Sequence, residues 1–237
     1  MIKPSAAEFI GRFDVGYNSG TNSFRAKRFR IFLDLVAEVQ ARQSVCRIID
    51  IGGTVGYWEA FLPDYATRPI EITIVNLYAE EAVKGNMRVV RGDACKIDSF
   101  ADNAFDIVHS NSTIEHVGGW SDMKSMAREV RRLAPAYYLQ VPYFWFPMEP
   151  HFQTLFIHWL PRSVQLSMIM KRRRGHWDRA RTVNEGMIAV DGAILPDRRM
   201  VAELFPDAEI RSERFFGLTK SLIALRRPLL TTPEAAR

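Results

Sequence analysis

Five short runs of apolar, largely β-branched residues follow one another between Val45 and Tyr143, separated by segments of helical period, and no other feature restricts the fold as much. The runs are VCRIIDIGG (Val45 to Gly53), EITIVNL (Glu71 to Leu77), MRVVRGDA (Met87 to Ala94), FDIVHSN (Phe105 to Asn111) and AYYLQVPY (Ala136 to Tyr143). Strands so continuously apolar are buried on both faces, which requires helices on both sides of a sheet. Helices are predicted over Phe24 to Gln40, from Tyr57 to Leu62 with Pro63 as the stop, over Ala79 to Lys84, and over Ser121 to Leu133. Right-handed crossovers between such strands make the sheet mostly parallel. EIRSERFFG (Glu209 to Gly217) and KSLIALRRP (Lys220 to Pro228) follow as two further strands joined by Leu218 and Thr219, a link of hairpin length. The expectation is an α/β chain with a doubly wound, mostly parallel seven-stranded sheet and an antiparallel C-terminal strand.

At 237 residues one domain is expected, with residues 1–40 as an N-terminal helical cap and residues 144–204 as an insertion or lid. Hydrophobic residues at 47% and charged residues at 25% exclude a disordered or collagen-like chain. The longest uncharged stretch, Ala134 to Met148, is broken by three prolines and falls short of the ~20 apolar residues of a membrane span. The opening MIKPSAAEFIGRFD has no apolar core of a secretory signal, so a cytoplasmic protein is expected. Cys46 and Cys95 both sit beside strands, as buried free thiols rather than a disulfide or metal ligands. The net charge of +5 is matched by Lys171, Arg172, Arg173, Arg174, Arg179 and Arg181 less Asp178, so the excess is local to the insertion. A second basic run, Arg25, Lys27, Arg28 and Arg30, opens the first helix. Without a helix-turn-helix, zinc-finger or RNP pattern, nucleic acid is not the expected partner.

In an open parallel sheet, ligands bind beyond the carboxyl ends of the strands at the point where strand order reverses. The first strand ends Asp50, Ile51, Gly52, Gly53, Thr54, Val55, Gly56. Counting from Gly52, Thr54 and Tyr57 stand where a GxGxxG dinucleotide fingerprint needs glycine, and the GK[ST] of a P-loop is missing. Asp50, Gly52 and Gly56 do match D/ExGxGxG, the second strand ends Asn76, Leu77, the third ends Gly92, Asp93, Ala94, and the fourth reads FDIVHSNSTIEHV. In this order the motifs resemble the class I methyltransferases that use S-adenosylmethionine, in particular their small-molecule branch. The resemblance covers Val45 to Tyr143 and the terminal strand pair. It implies a Rossmann-like methyltransferase fold and a cofactor site made of Asp50, Gly52, Gly53, Gly56, Asn76, Leu77, Asp93, Ala94, Ser110 and Asn111. Asp50 either touches the ligand or orients the loop. Asn76 stands where the family carries a ribose-binding acid, and an amide makes weaker bonds to a diol than a carboxylate does.

The resemblance further implies methyl transfer by in-line displacement, in which alignment and water exclusion carry most of the rate and a hydroxyl acceptor needs a base. His116 is the first choice of base, with Glu115 to orient it and His151 to join it, although each histidine also has a purely structural reading. His158 is expected on a helix from Phe152 to Leu160, and His109 buried within the fourth strand. Relatives with an ExxEH motif bind a divalent metal, but Ser112 replaces the first Glu and leaves too few ligands, so no metal is expected. Tyr143, Phe144, Trp145, Phe146 and Met148 either stack on the acceptor or form the inner wall of a lid. The expected acceptor is a small molecule, a sugar, glycan precursor or nucleotide-sugar, with peripheral membrane contact through Lys171 to Arg181. Transfer to nitrogen and a non-catalytic binding protein of the same fold are the alternatives.

Overall fold

The computed structural model describes residues 23–228, so the expected cap before residue 23 lies outside the described residues. Helix α1 (Ser23–Gln40) leads to β1 (Cys46–Ile51), followed by α2 (Val55–Ala60), α3 (Leu62–Tyr65), β2 (Ile70–Asn76), β3 (Ala82–Lys84), β4 (Met87–Arg91) and β5 (Ile107–Asn111). A 3-10 turn (Ile114–His116), α4 (Trp120–Leu133) and β6 (Ala136–Pro142) complete the alternating half. The insertion holds the short hairpin β7 (Met148–Glu149) and β8 (Thr154–Leu155), a 3-10 turn (Ile157–Trp159), α5 (Arg162–Lys171) and α6 (Val183–Asp191). Helix α7 (Arg198–Leu204), β9 (Glu209–Phe215) and β10 (Leu218–Arg226) are the last elements of the described residues.

Among the described residues the main sheet has eight strands, in the order β3-β4-β2-β1-β5-β6-β10-β9. Strands β4, β2, β1, β5 and β6 are mutually parallel, while β10 runs antiparallel to β6 and to β9. One face packs on α4 and α7 through Val108, Met123, Met126, Val130, Tyr137, Leu204 and Phe205. The other packs on α1 to α3 through Phe29, Phe32, Val36, Trp58, Tyr65, Ile48 and Tyr138. Burial on both faces explains why these strands carry no polar alternation.

The eighth strand comes from Ala82–Lys84, expected as a helix and paired instead antiparallel with β4 across the two-residue loop Gly85 and Asn86. That loop has hairpin length, and three residues are too few to close a stable helical turn of their own. Pro63 lies in the first turn of α3 rather than ending α2, a position that lacks a hydrogen-bond partner for its nitrogen in any case. The last hairpin turns at Phe216 and Gly217, both at positive φ, two residues before the expected link. The helix expected over Phe152 to Leu160 is replaced by β8 and a 3-10 turn, because Phe156 adopts φ 61° and interrupts any continuous helix. Cys46 and Cys95 are free thiols. Among the described residues, no helix is long and apolar enough to cross a membrane.

Candidate functional site

Strand order reverses between β1 and β5, whose crossovers leave in opposite directions, and the carboxyl ends of the strands open there into a cavity of about 1250 Å³. Its floor is the turn after β1. Gly52 adopts φ +80°, and a Cβ there would lie 2.2 Å from Thr113 Cγ2; one on Gly53 would lie 1.7 Å from Asp50 Oδ2. The turn therefore lies flat on its neighbours, with bare backbone toward the cavity. Thr54, the departure from a strict glycine pattern, is the N-cap of α2, its Oγ1 accepting from Tyr57 N at 3.3 Å.

Asp50 is 1% exposed and turned into the fold. Its Oδ2 accepts from Trp58 Nε1 at 2.8 Å, and Oδ1 lies 2.7 Å from His109 Nδ1. His109, buried as expected, stacks on Tyr138 at 5.6 Å and meets Tyr57 through Nε2 at 3.3 Å. Asn76 Nδ2 donates to the Gly53 carbonyl at 3.1 Å while Oδ1 accepts from Tyr78 N at 3.1 Å, so this amide ties the end of β2 to the glycine turn. A carboxylate could not make the first of these bonds. Asp93, Ala94, Leu77 and Asn111 line the cavity, and Asp93 Oδ1 accepts from Cys95 N at 2.8 Å. Gly56 and Ser110 do not line it; Ser110 is fully buried and donates to the Ile51 carbonyl at 2.9 Å.

This half of the cavity suits an adenosyl group. Glycine backbone permits close approach, Leu77, Ala94 and Val117 offer apolar wall for a base, and Asp93 keeps acceptor capacity for an exocyclic amine.

The other half lies under the insertion. The backbone N–H of Ile194 donates to the Glu115 carbonyl at 2.7 Å, and His116 Nδ1 lies 2.6 Å from the Gly192 carbonyl, so the end of α6 is tied to the turn after β5. His151 comes from the β7–β8 hairpin, its ring 4.7 Å from that of His116 and edge-on to it. Glu149, which the sequence did not single out, lies 2.5 Å from His151 Nδ1 and accepts from Phe152 N at 2.5 Å. Burial pushes the Glu115 carboxyl up to about 7. Burial and then the neighbouring His151 hold His116 down to about 3, against the bond to Gly192, so its imidazole stays neutral. For His151 burial acts in the same sense, but the Glu149 carboxylate outweighs it and raises the imidazole.

The structure thus brings Glu115, His116 and His151 together, and leaves His158 apart, bonded to the Phe144 carbonyl at 2.7 Å. Phe146, Met148, His176 and Trp177 line the cavity, whereas Trp145 is 57% exposed and Phe144 packs against it outside. Arg25 and Arg28 of α1 also reach the lining, where the sequence offered only a basic helix face.

Residues 49–135 match a family model described as a methyltransferase domain. No curated protein matches the chain. Among solved structures, magnesium protoporphyrin IX methyltransferase from Synechocystis PCC 6803, with bound S-adenosylhomocysteine, is similar at 13% identity and TM-score 0.50, over 94% of this chain and 95% of that one. A S-adenosylmethionine-dependent methyltransferase from Methanosarcina mazei is similar at 14% identity and TM-score 0.45, over 78% of this chain and 94% of that one. Phosphoethanolamine N-methyltransferase 2 of Haemonchus contortus, in complex with S-adenosylmethionine, gives 14% identity and TM-score 0.44, over 76% of this chain and 38% of that one. Strand order and the glycine turn at the switch point agree with the matched segment: residues 49–135 carry a methyltransferase domain on a Rossmann-like methyltransferase fold, and the protein is an enzyme with S-adenosylmethionine as methyl donor.

Proposed function

We propose that the enzyme methylates a hydroxyl of a small molecule, with a sugar or glycan precursor as the preferred acceptor. One observation carries the proposal: a single cavity joins the glycine turn, Leu77 and Asp93 at one end to His116 and His151 at the other. The co-substrate supplies a methyl group on positively charged sulfur; the C–S bond breaks as the C–O bond forms, and the sulfur keeps the electron pair. Gly52, Gly53, Asn76, Leu77, Asp93, Ala94 and Asn111 hold the adenosyl end, with Asp50 acting through the position of the turn. Glu115, His116 and His151 form the polar centre at which the acceptor hydroxyl gives up its proton. Residues 144–204 shape the acceptor half and exclude water from it.

Arg25, Arg28, Arg179 and Lys220 share the cavity wall with Asp93, Asp122, Asp178, Glu185 and Glu213, and Arg28 pairs with Glu213, so the lining offers both signs of charge to a polar acceptor such as a sugar. The exposed Lys171, Arg172 and Arg173 beside it suit contact with an anionic lipid surface. Unchanged liposome binding after joint replacement of Arg172 and Arg173 would remove the membrane contact.

The test is turnover of a panel of hydroxyl and amine acceptors by wild type and His116→Ala. A hydroxyl acceptor should lose ~100-fold or more in kcat, because activation of the oxygen is worth that much. An amine carries its own lone pair, so a preferred amine substrate with undiminished turnover in His116→Ala sinks the oxygen assignment.

A further inference from the structure

We propose that Glu115, His116 and His151 bind a divalent first-row transition-metal ion. One carboxylate oxygen and one nitrogen from each imidazole lie within 4.8 Å of one another, a spread that small side-chain shifts close onto an ion at ~2.0–2.2 Å from each ligand.

Both rings are held as ligand histidines are held. His116 Nδ1 is placed on the Gly192 carbonyl and His151 Nδ1 on the Glu149 carboxylate, so that, in its neutral form, each ring carries its lone pair on Nε2. A carbonyl or carboxylate behind Nδ1–H is the usual outer partner of a metal-bound imidazole. Glu149 is itself 3% exposed and held by the Phe152 N–H, which makes it a rigid support rather than a fourth ligand.

Independently, Glu115 is 1% exposed and, among the described residues, neither carboxylate oxygen has a hydrogen-bond partner. A buried carboxylate without donors is costly, and a cation between it and the two imidazoles removes that cost. The sequence alone supplied only Glu115 and His116; the third ligand arrives from the insertion. Two imidazoles and one carboxylate suit zinc, iron or manganese better than calcium or magnesium, which prefer oxygen ligands throughout. Three protein ligands leave coordination positions open toward the cavity.

The role of the ion rests on the hydroxyl-acceptor proposal. An ion-bound hydroxyl is acidified, loses its proton to water and presents its oxygen lone pair to the methyl group. Binding of the ion is read without turnover, so the two proposals fail separately.

The experiment adds Co²⁺ to chelator-treated full-length protein and follows visible ligand-field absorption and equilibrium dialysis. The expected result is one ion per chain, with affinity lowered at least tenfold in Glu115→Gln and His151→Ala and about 10–100-fold in Glu149→Gln. His158→Ala should match wild type. An unbound wild type, or binding undiminished in Glu115→Gln and His151→Ala, overturns the site. If those variants do not fold, X-ray absorption of cobalt-loaded wild type decides: scattering from two imidazoles supports the site, and one or none overturns it.

Discussion

His109 Nδ1 lies 2.7 Å from Asp50 Oδ1, both side chains 1% exposed, on strands that neighbour each other at the switch point of the sheet. Since Asp50 also accepts from Trp58 Nε1, one carboxylate joins β1, β5 and α2 directly beneath the glycine turn. Asp50→Ala would leave both donors buried without a partner. It should cost about 3 kcal/mol in unfolding free energy, measured by urea denaturation. A loss under ~1 kcal/mol would mean that the contact is not a structural support.

Gly53→Ala tests the turn itself. The added methyl would sit 1.7 Å from Asp50 Oδ2, so either the carboxylate leaves Trp58 or the turn lifts into the cavity. Affinity for S-adenosylhomocysteine, read by calorimetry, should fall at least tenfold, and thermal stability should fall with it. Unchanged affinity would show that the bound nucleoside does not use this backbone.

Asn76→Ala separates support of the turn from contact with ligand. Removing the amide frees the Gly53 carbonyl and the Tyr78 N–H, two hydrogen bonds worth about 1 kcal/mol each when partly buried. The co-substrate KM should rise several-fold with kcat nearly constant, since the loss is in binding rather than alignment. A fall in kcat alone would place Asn76 at the reacting end instead.

The parallel half of the sheet was legible because doubly buried strands have to be apolar throughout, and the turn after β1 because its glycines stand at a strand end. Local spacing could not reveal which way polar groups face. Asp50 reads equally as a ligand contact or a support of the loop, and its bonds to Trp58 and His109 favour the support, while Ser110 reads as a ligand contact yet donates to the Ile51 carbonyl. Residues 79–84 read as helix because the hairpin partner that makes Ala82–Lys84 a strand lies in β4. Glu149 drew no attention because its significance is its distance from His151, fixed by the short β7–β8 hairpin and not by any motif.

Within the insertion, α5 and α6 approach closely at Gly186, where a Cβ would lie 2.3 Å from Leu166 Cδ1. Gly186→Val should push the helices apart, at a cost of ~1–3 kcal/mol from overpacking. Because α6 ends at the Gly192 carbonyl that holds His116, acceptor KM and kcat should both deteriorate. Affinity for S-adenosylhomocysteine, whose proposed contacts lie on the strand ends, should stay within twofold. Equal loss of both ligands would mean that the insertion and the nucleoside half do not act independently.

Acid stability should report the start of β5. Asp106 accepts from Arg47 N at 2.7 Å and from the Arg47 guanidinium at 2.9 Å. Burial opposes its charge, but these bonds prevail and lower its pKa below the ordinary carboxylate value. A carboxyl lowered on folding stabilises fully above its unfolded pKa, about 3.9, and that contribution is lost as pH falls through the folded value. The midpoint of urea unfolding should therefore drop between about pH 4 and the folded pKa, and Asp106→Asn should flatten that part of the profile. Parallel acid limbs in wild type and variant would assign the pH dependence to other carboxylates and leave the Arg47 pair neutral in its effect on folding.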